Sequence, residues 1–280
     1  MPVFEKPPLE TLTPARERWT PIFLEHGRLE VDDSSVKWIG TDRTVFRLPV
    51  ATLSVIMLGP GTTVTQAAMK ACAECNTPVC WVGADGLRFY ARGLGSTHDN
   101  ERARHQANLA VSPSKRDAVA RRMFAARFGN EGIEGKTVKE LRGMEGVRVK
   151  SLYAELGQKY GVTWKGRNYN ASQWELSDGI NRAVSATNAA LYSLTTAVIC
   201  SLGYLPELGF IHINSMRAFV LDIADLYKTE CTLPAAFEAV ALNPDASEDE
   251  AISRLKFYLE ERRILSRMPI EIADLLKLPL

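Results

Sequence analysis

The chain has 280 residues, 46% of them hydrophobic, and a formal net charge of +1. That is enough apolar material for a sizeable core in one or two domains, and it excludes a global field that would by itself announce a nucleic-acid partner. The start MPVFEKPPLETL lacks a basic segment followed by an apolar run, and the longest apolar stretches break off before membrane-spanning length. A cytoplasmic location with reduced cysteines is therefore expected. Charge is uneven along the chain: Glu101 to Lys150 carries twelve basic against six acidic residues, and Cys231 to Leu280 carries six against nine. That asymmetry suits a polyanion groove and equally suits solvated helix faces.

Residues 20 to 92 read as strand-rich. PIFLE and RLEV flank His26-Gly27 and predict a hairpin; VKWIG and VFRLPV flank Thr41-Asp42-Arg43 and predict a second. SVIML suits an interior strand. TVTQAAMKACAEC switches to helical spacing, with Thr62 or Thr63 as N-cap. PVCWVG, a turn at Ala84-Asp85-Gly86 and LRFYAR complete another hairpin. Cys72, Cys75 and Cys80 invite a zinc reading, but no second pair follows at finger spacing, so buried reduced thiols are the better account.

GLGSTHDN, residues 93–100, reads as a linker. Beyond it the pattern is helical: one helix capped by Asp99 or Asn100, one from Ser112-Pro113 to Gly129, and a long one opening at Thr137 with Glu140 at capping-box distance. An apolar, small-residue-rich helix follows over 177–203, then helices over 217–228, 233–243 and 247–265. The fold class predicted is α+β. An N-terminal β-sandwich-like domain with one helix (1–92) precedes an all-α domain (101–280).

The stretch GFIHINSMRAFVLDIADLYK sets two carboxylates and an imidazole among apolar neighbours. A helix through Leu221 to Lys228 puts Asp222 and Asp225 on one face, where they repel unless a cation or a shared proton relieves them. A divalent metal answers this economically, with His212 returning to the same place. A solvated acidic face and a hydrogen-bonded core histidine account for the same residues. Glu145 adds a third acid, between Gly143 and Gly146 on a helix that also carries Arg142, Arg148 and Lys150. Each interior glycine costs roughly 1 kcal/mol relative to alanine and is tolerated where something approaches the backbone. An arginine–glutamate surface ladder is the competing account.

LRGMEG, YGVTWKGRNY, GFIH and FVLDIADLYK, in this order, resemble the CRISPR-associated integrase of spacer acquisition, most closely its type I-E branch. IFLEHGRLEV, IMLGPGTTVTQAA and CWVGADGLRFYARG are similar to that family's N-terminal β domain, so the likeness extends over nearly the whole chain. The resemblance implies a metal-dependent DNA endonuclease and integrase. It places the catalytic residues on Glu145, His212 and Asp225, with Asp222 as an additional acid at the metal. It also implies Mg²⁺ or Mn²⁺, a homodimer formed through the β domain, and a smaller ferredoxin-like CRISPR-associated partner protein. Prespacer DNA and the CRISPR repeat are the implied nucleic acids.

Arg88, Arg142, Arg148, Arg167 and Lys228 are candidate phosphate contacts, and Tyr169 and Trp174 candidate stacking platforms. His26 stands where relatives of this branch can carry an aromatic residue. In HINSMRAF the family's Gly-Lys character after the histidine is missing, and Arg217 is the candidate to supply the charge from a shifted position. A stand-alone metal nuclease acting on branched or single-stranded DNA, and a non-catalytic DNA-binding scaffold, are the alternatives.

Overall fold

The structure, a computed structural model, describes residues 18, 20–32, 35–84, 88–93, 100–129, 132–167, 178–246 and 248–278. The chain forms two compact units. One comprises residues up to Arg104 together with Ser193–Leu205, and the other His105–Tyr192 with the residues from Pro206 on. Of the segment read as a linker, only Gly93 and Asn100 fall within the described residues.

Strands β1 (Thr20–Leu24), β5 (Leu53–Leu58), β7 (Val79–Val82) and β8 (Phe89–Arg92) make one four-stranded sheet, in that order. Strands β4 (Val45–Leu48), β3 (Ser35–Gly40), β2 (Gly27–Asp32) and β6 (Thr62–Val64) make the other. The predicted hairpins β3–β4 and β7–β8 form as antiparallel pairs. The predicted β1–β2 hairpin does not. β1 pairs in parallel with β5, while β2 runs antiparallel to β3. The chain changes sheets at His26, whose φ is 55°, and Gly27 follows because a Cβ there would lie 2.3 Å from the Trp38 ring. The apolar TPIFL finds in the apolar LSVIML a partner that RLEV, polar on alternate residues, does not offer.

Both sheets contribute to one core, where Leu24, Leu29, Trp38, Leu48 and Ile56 meet Ala68, Ala71, Cys72 and Cys75 around helix α1 (Gln66–Glu74). The cap of α1 is Thr65, whose side chain accepts from the Ala68 amide, because Thr62 and Thr63 are taken by β6. All five cysteines are buried and reduced.

The second unit is helical. It contains α2 (Glu101–Val111, entered from the first unit), α3 (Pro113–Phe128), α4 (Val138–Tyr160), most of α5 (Gly179–Ser201), α6 (Ala218–Ala224), α7 (Leu233–Leu242), α8 (Glu248–Glu261) and α9 (Ile264–Leu276). α4 opens with the expected Thr137–Glu140 capping box. α5 is long and apolar enough to cross a membrane by composition, contrary to the expectation of interrupted runs, but two thirds of its apolar window is buried in the protein.

The helix predicted over 217–228 is shorter. α6 ends at Ala224 with Asp225 as C-cap, and a π-helical turn over Lys228–Thr232 leads into α7. α9 was not foreseen, because Pro269 sits inside it. It holds because Ile264, Met268, Ile272 and Leu276, four apart, form one fully buried stripe.

Candidate functional site

The sequence stretch that raised the question of buried polarity begins with a tight loop. Gly209 has no room for a side chain: a Cβ there would come within 2.2 Å of the His212 carbonyl oxygen and 2.7 Å of Ala218. The loop therefore folds against the start of α6, where Phe210 and Phe219 pack edge to face. Asp222, fully buried on α6, organises it. One carboxylate oxygen accepts the amides of Phe210 (2.6 Å) and Ile211 (3.1 Å). The other accepts the His212 amide at 2.9 Å and meets His212 Nδ1 at 2.8 Å. Four contacts hold this carboxylate as the brace of the His212 loop. The N–H groups compensate its charge.

Asp225, one turn on, faces another way. Its carboxylate lies 2.6 Å from Lys228 Nζ and 3.6 Å from Arg127 Nη1. The two acids thus have separate partners, backbone amides and His212 for Asp222, Lys228 and Arg127 for Asp225.

Arg127 comes from the last turn of α3, just before Gly129 (φ 76°) ends the helix. Only 5% of its side chain is exposed. The same Nη1 forms an ion pair with Glu145 Oε1 from α4, so one nitrogen joins the two acids. Nη2 donates to the Asp222 carbonyl at 2.8 Å, and the guanidinium lies over the Phe124 ring. Its Nε is buried without a hydrogen-bond partner among the described residues.

Glu145, His212 and Asp225 line one cavity of about 1260 Å³, together with Arg127, Arg142, Arg148, Arg167 and Lys228. Lys228 is half-buried over the Tyr192 ring of α5. Burial favours its neutral form, but the Asp225 carboxylate and the Tyr192 hydroxyl outweigh burial and raise its pKa, so it stays a cation at neutral pH. The π-helical turn carrying it is tied to α5 through Thr232 Oγ1 and Asn188 Oδ1, 2.8 Å apart.

The other candidate contacts divide by environment. Arg148 donates to the Arg127 carbonyl at 2.6 Å and lies over Phe128, so it also closes the end of α3. Arg167 is held by Asn181 and Ser185 on α5. Arg142 is exposed. Arg217 lies over Tyr192 but does not line the cavity. Arg88 is an exposed residue of the first unit. Tyr169 and Trp174 lie outside the described residues. Gly143 and Gly146 have nothing among the described residues within 4 Å of a Cβ at either, so none of those residues demands a glycine there. The sequence does not signal that Arg127 stands beside the acids, nor that Tyr192 lines the same cavity. The only local cue to Arg127 was its place just ahead of a helix-ending glycine.

The residues present fit a divalent cation in kind, with two carboxylates converging on one resident cation and an imidazole in the same cavity. As they stand, no three His, Cys, Asp or Glu among the described residues are close enough to hold an ion. A cationic nitrogen lies between two of them. His212, with Nδ1 engaged by Asp222, has Nε2 as its remaining donor, the pattern of a metal-binding histidine oriented by a carboxylate.

A two-sheet unit, a helical unit and a cavity that sets acids and an imidazole among arginines define a protein equipped for phosphodiester chemistry. The chain belongs to the CRISPR associated protein Cas1 family, whose model matches residues 22–133 and 130–249. It is 48% identical over 232 residues to CRISPR-associated endonuclease Cas1 2 of Chlorobaculum tepidum, covering 83% of this chain and 78% of that one. It is 38% identical to CRISPR-associated endonuclease Cas1 of Escherichia coli, covering 94% of this chain and 85% of the relative. The crystal structure of the TtCas1–DNA complex matches with a TM-score of 0.80 at 39% identity, over 93% of this chain and 97% of that one.

Proposed function

We propose that Glu145, His212 and Asp225 form the metal-dependent centre at which this CRISPR-associated endonuclease and integrase breaks and joins phosphodiesters. The observation that carries this is the convergence of Glu145 and Asp225 on one cationic nitrogen, in a cavity that His212 also lines. When bound, Mg²⁺ or Mn²⁺ polarises a phosphodiester and makes a hydroxyl nucleophilic at neutral pH. The two carboxylates supply the hard oxygen donors. His212, its ring fixed by Asp222, supplies the softer nitrogen that makes Mn²⁺ acceptable. Lys228 keeps its positive charge beside them and is placed to hold a phosphate oxygen. Arg142 and Arg148 extend the positive lining along which a DNA backbone would run.

The reaction proposed is attack by a prespacer 3′-hydroxyl on a phosphodiester at the border of a CRISPR repeat. The TtCas1 structure with bound DNA supports DNA as the substrate. The likeness to the Escherichia coli protein supports a type I-E setting. A homodimer through the β domain, a smaller ferredoxin-like partner and a cytoplasmic location complete the proposal, with the chain dividing near residues 93–100.

The test is a supercoiled plasmid carrying a repeat, incubated with 3′-hydroxyl-ended duplexes and Mg²⁺ or Mn²⁺, with and without the small partner. Strand-transfer products at the repeat borders support integration. Metal-dependent cleavage of branched DNA without transfer makes the chain a stand-alone nuclease, and DNA binding without either makes it a scaffold.

A further inference from the structure

Metal centres that bind and release a hard divalent ion face a problem when the ion is away: their acids, no longer compensated, repel one another in a partly dry site. Here that problem is already solved from within the chain. The Arg127 nitrogen that touches Glu145 lies 3.6 Å from Asp225. Mg²⁺ holds its oxygen ligands at about 2.1 Å, closer than this nitrogen stands to Asp225, so an ion shared by the two acids would have to draw them inward and would compete with the guanidinium for both.

We propose that Arg127 is a built-in surrogate cation: in the metal-free protein its guanidinium pairs with Glu145 and joins Lys228 in offsetting Asp225, and the incoming ion displaces it. The proposal rests on the metal-centre reading above and adds a residue to it that the reading does not need.

Two features distinguish a displaceable charge from a permanent brace. Nε is buried with no partner among the described residues, so departure loses no hydrogen bond to them there and frees the group to find one. The side chain also borders a cavity of about 1260 Å³, which gives it somewhere to go. The bond from Nη2 to the Asp222 carbonyl and the contact with the Phe124 ring are the tethers that must lengthen or break. Through the Asp222 bond, arrival of the ion would be felt by the segment that braces His212. A protein waiting for its ion thus keeps the two acids together and shielded.

The wild-type protein supplies the first test. Arg127 should resist phenylglyoxal in chelator and become reactive in Mn²⁺, read by mass spectrometry of the peptide that contains it. Unchanged or lower reactivity in Mn²⁺, under conditions where calorimetry shows Mn²⁺ bound, overturns the displacement and leaves the metal centre standing.

The second test compares Arg127→Gln and Arg127→Lys with wild type. Without metal, Arg127→Gln should melt below wild type and Arg127→Lys close to it, and saturating Mn²⁺ should narrow the Arg127→Gln gap. If the guanidinium holds the site closed about nine-tenths of the time, Arg127→Gln should bind Mn²⁺ roughly tenfold more tightly. Equal or weaker binding by Arg127→Gln overturns the surrogate role. Failure of every form to bind Mn²⁺, or binding that Glu145→Gln does not weaken, removes the metal-centre reading and this proposal with it.

Discussion

His212 Nδ1 lies 2.8 Å from the Asp222 carboxylate, which also accepts the amides of Phe210, Ile211 and His212 itself. One buried acid therefore fixes both the backbone and the ring orientation of a residue that faces the cavity. Asp222→Asn should expose this dependence. An amide offers one acceptor oxygen and turns its NH₂ toward donors, so at least one buried N–H loses its partner. The cost expected is about 1–3 kcal/mol, read from urea unfolding of the metal-free protein. Stability equal to wild type would show that the loop holds without Asp222.

Asp225→Asn tests the other acid in the same units. Relief of acid–acid repulsion, as the sequence spacing implies, would leave this variant at least as stable as wild type. The structure reverses that expectation, because Asp225 pairs with Lys228 and faces Arg127. Asp225→Asn should be destabilised without metal by about 1–3 kcal/mol. A more stable variant would mean that Asp222 and Asp225 do repel in solution.

Most of the architecture was legible from local patterns, since capping residues, the Pro113 and Gly129 helix boundaries and alternating strands act within a few residues. What stayed hidden depends on distant partners. The preference of β1 for β5 over β2 lies in two apolar strands some thirty residues apart. α9 carries a proline that local rules read as a stop, and only burial of Ile264, Met268, Ile272 and Leu276 overrides it. At the site, helical spacing paired Asp222 with Asp225, and the resemblance to the integrase family joined Glu145 and His212 to them. Neither could assign the carboxylates, because whether an acid meets amides or cations is decided by the loop at Gly209 and by α3. Arg127 is eighteen residues from Glu145 and ninety-five from Asp222 in sequence.

Buried thiols make stability fall at mildly alkaline pH. Burial pushes Cys72 and Cys231 up to about 12 and Cys80 higher still. An unfolded thiol titrates near ~8.5. The folded state therefore holds these protons more tightly, and the stability they contribute is whole below pH ~8.5 and is lost as pH rises from there toward the folded values. Each thiol should cost about 1.4 kcal/mol per pH unit above that point. Urea unfolding at pH 7.5, 8.5 and 9.5 measures this. No loss across the upper interval would mean that the thiols are open to solvent.

DNA affinity should fall linearly with salt on logarithmic axes, because an overall charge of +1 leaves binding to a concentrated patch. Arg142→Gln, at an exposed arginine that lines the cavity, should reduce the slope by about one ion and leave the melting temperature unchanged. Lys228→Gln should reduce the slope likewise but also lower stability, since Lys228 pairs with Asp225. An unchanged slope in both would put the DNA path elsewhere, along Arg121 and Arg122 of α3.

The most direct measurement is strand transfer by Glu145→Ala, His212→Ala and Asp225→Ala in Mg²⁺ and in Mn²⁺, with DNA affinity measured on the same preparations. The three side chains should act as one centre, so each variant loses transfer in both metals while its DNA affinity stays near that of wild type. Normal transfer by any one of them, in either metal, would contradict a single centre built from Glu145, His212 and Asp225.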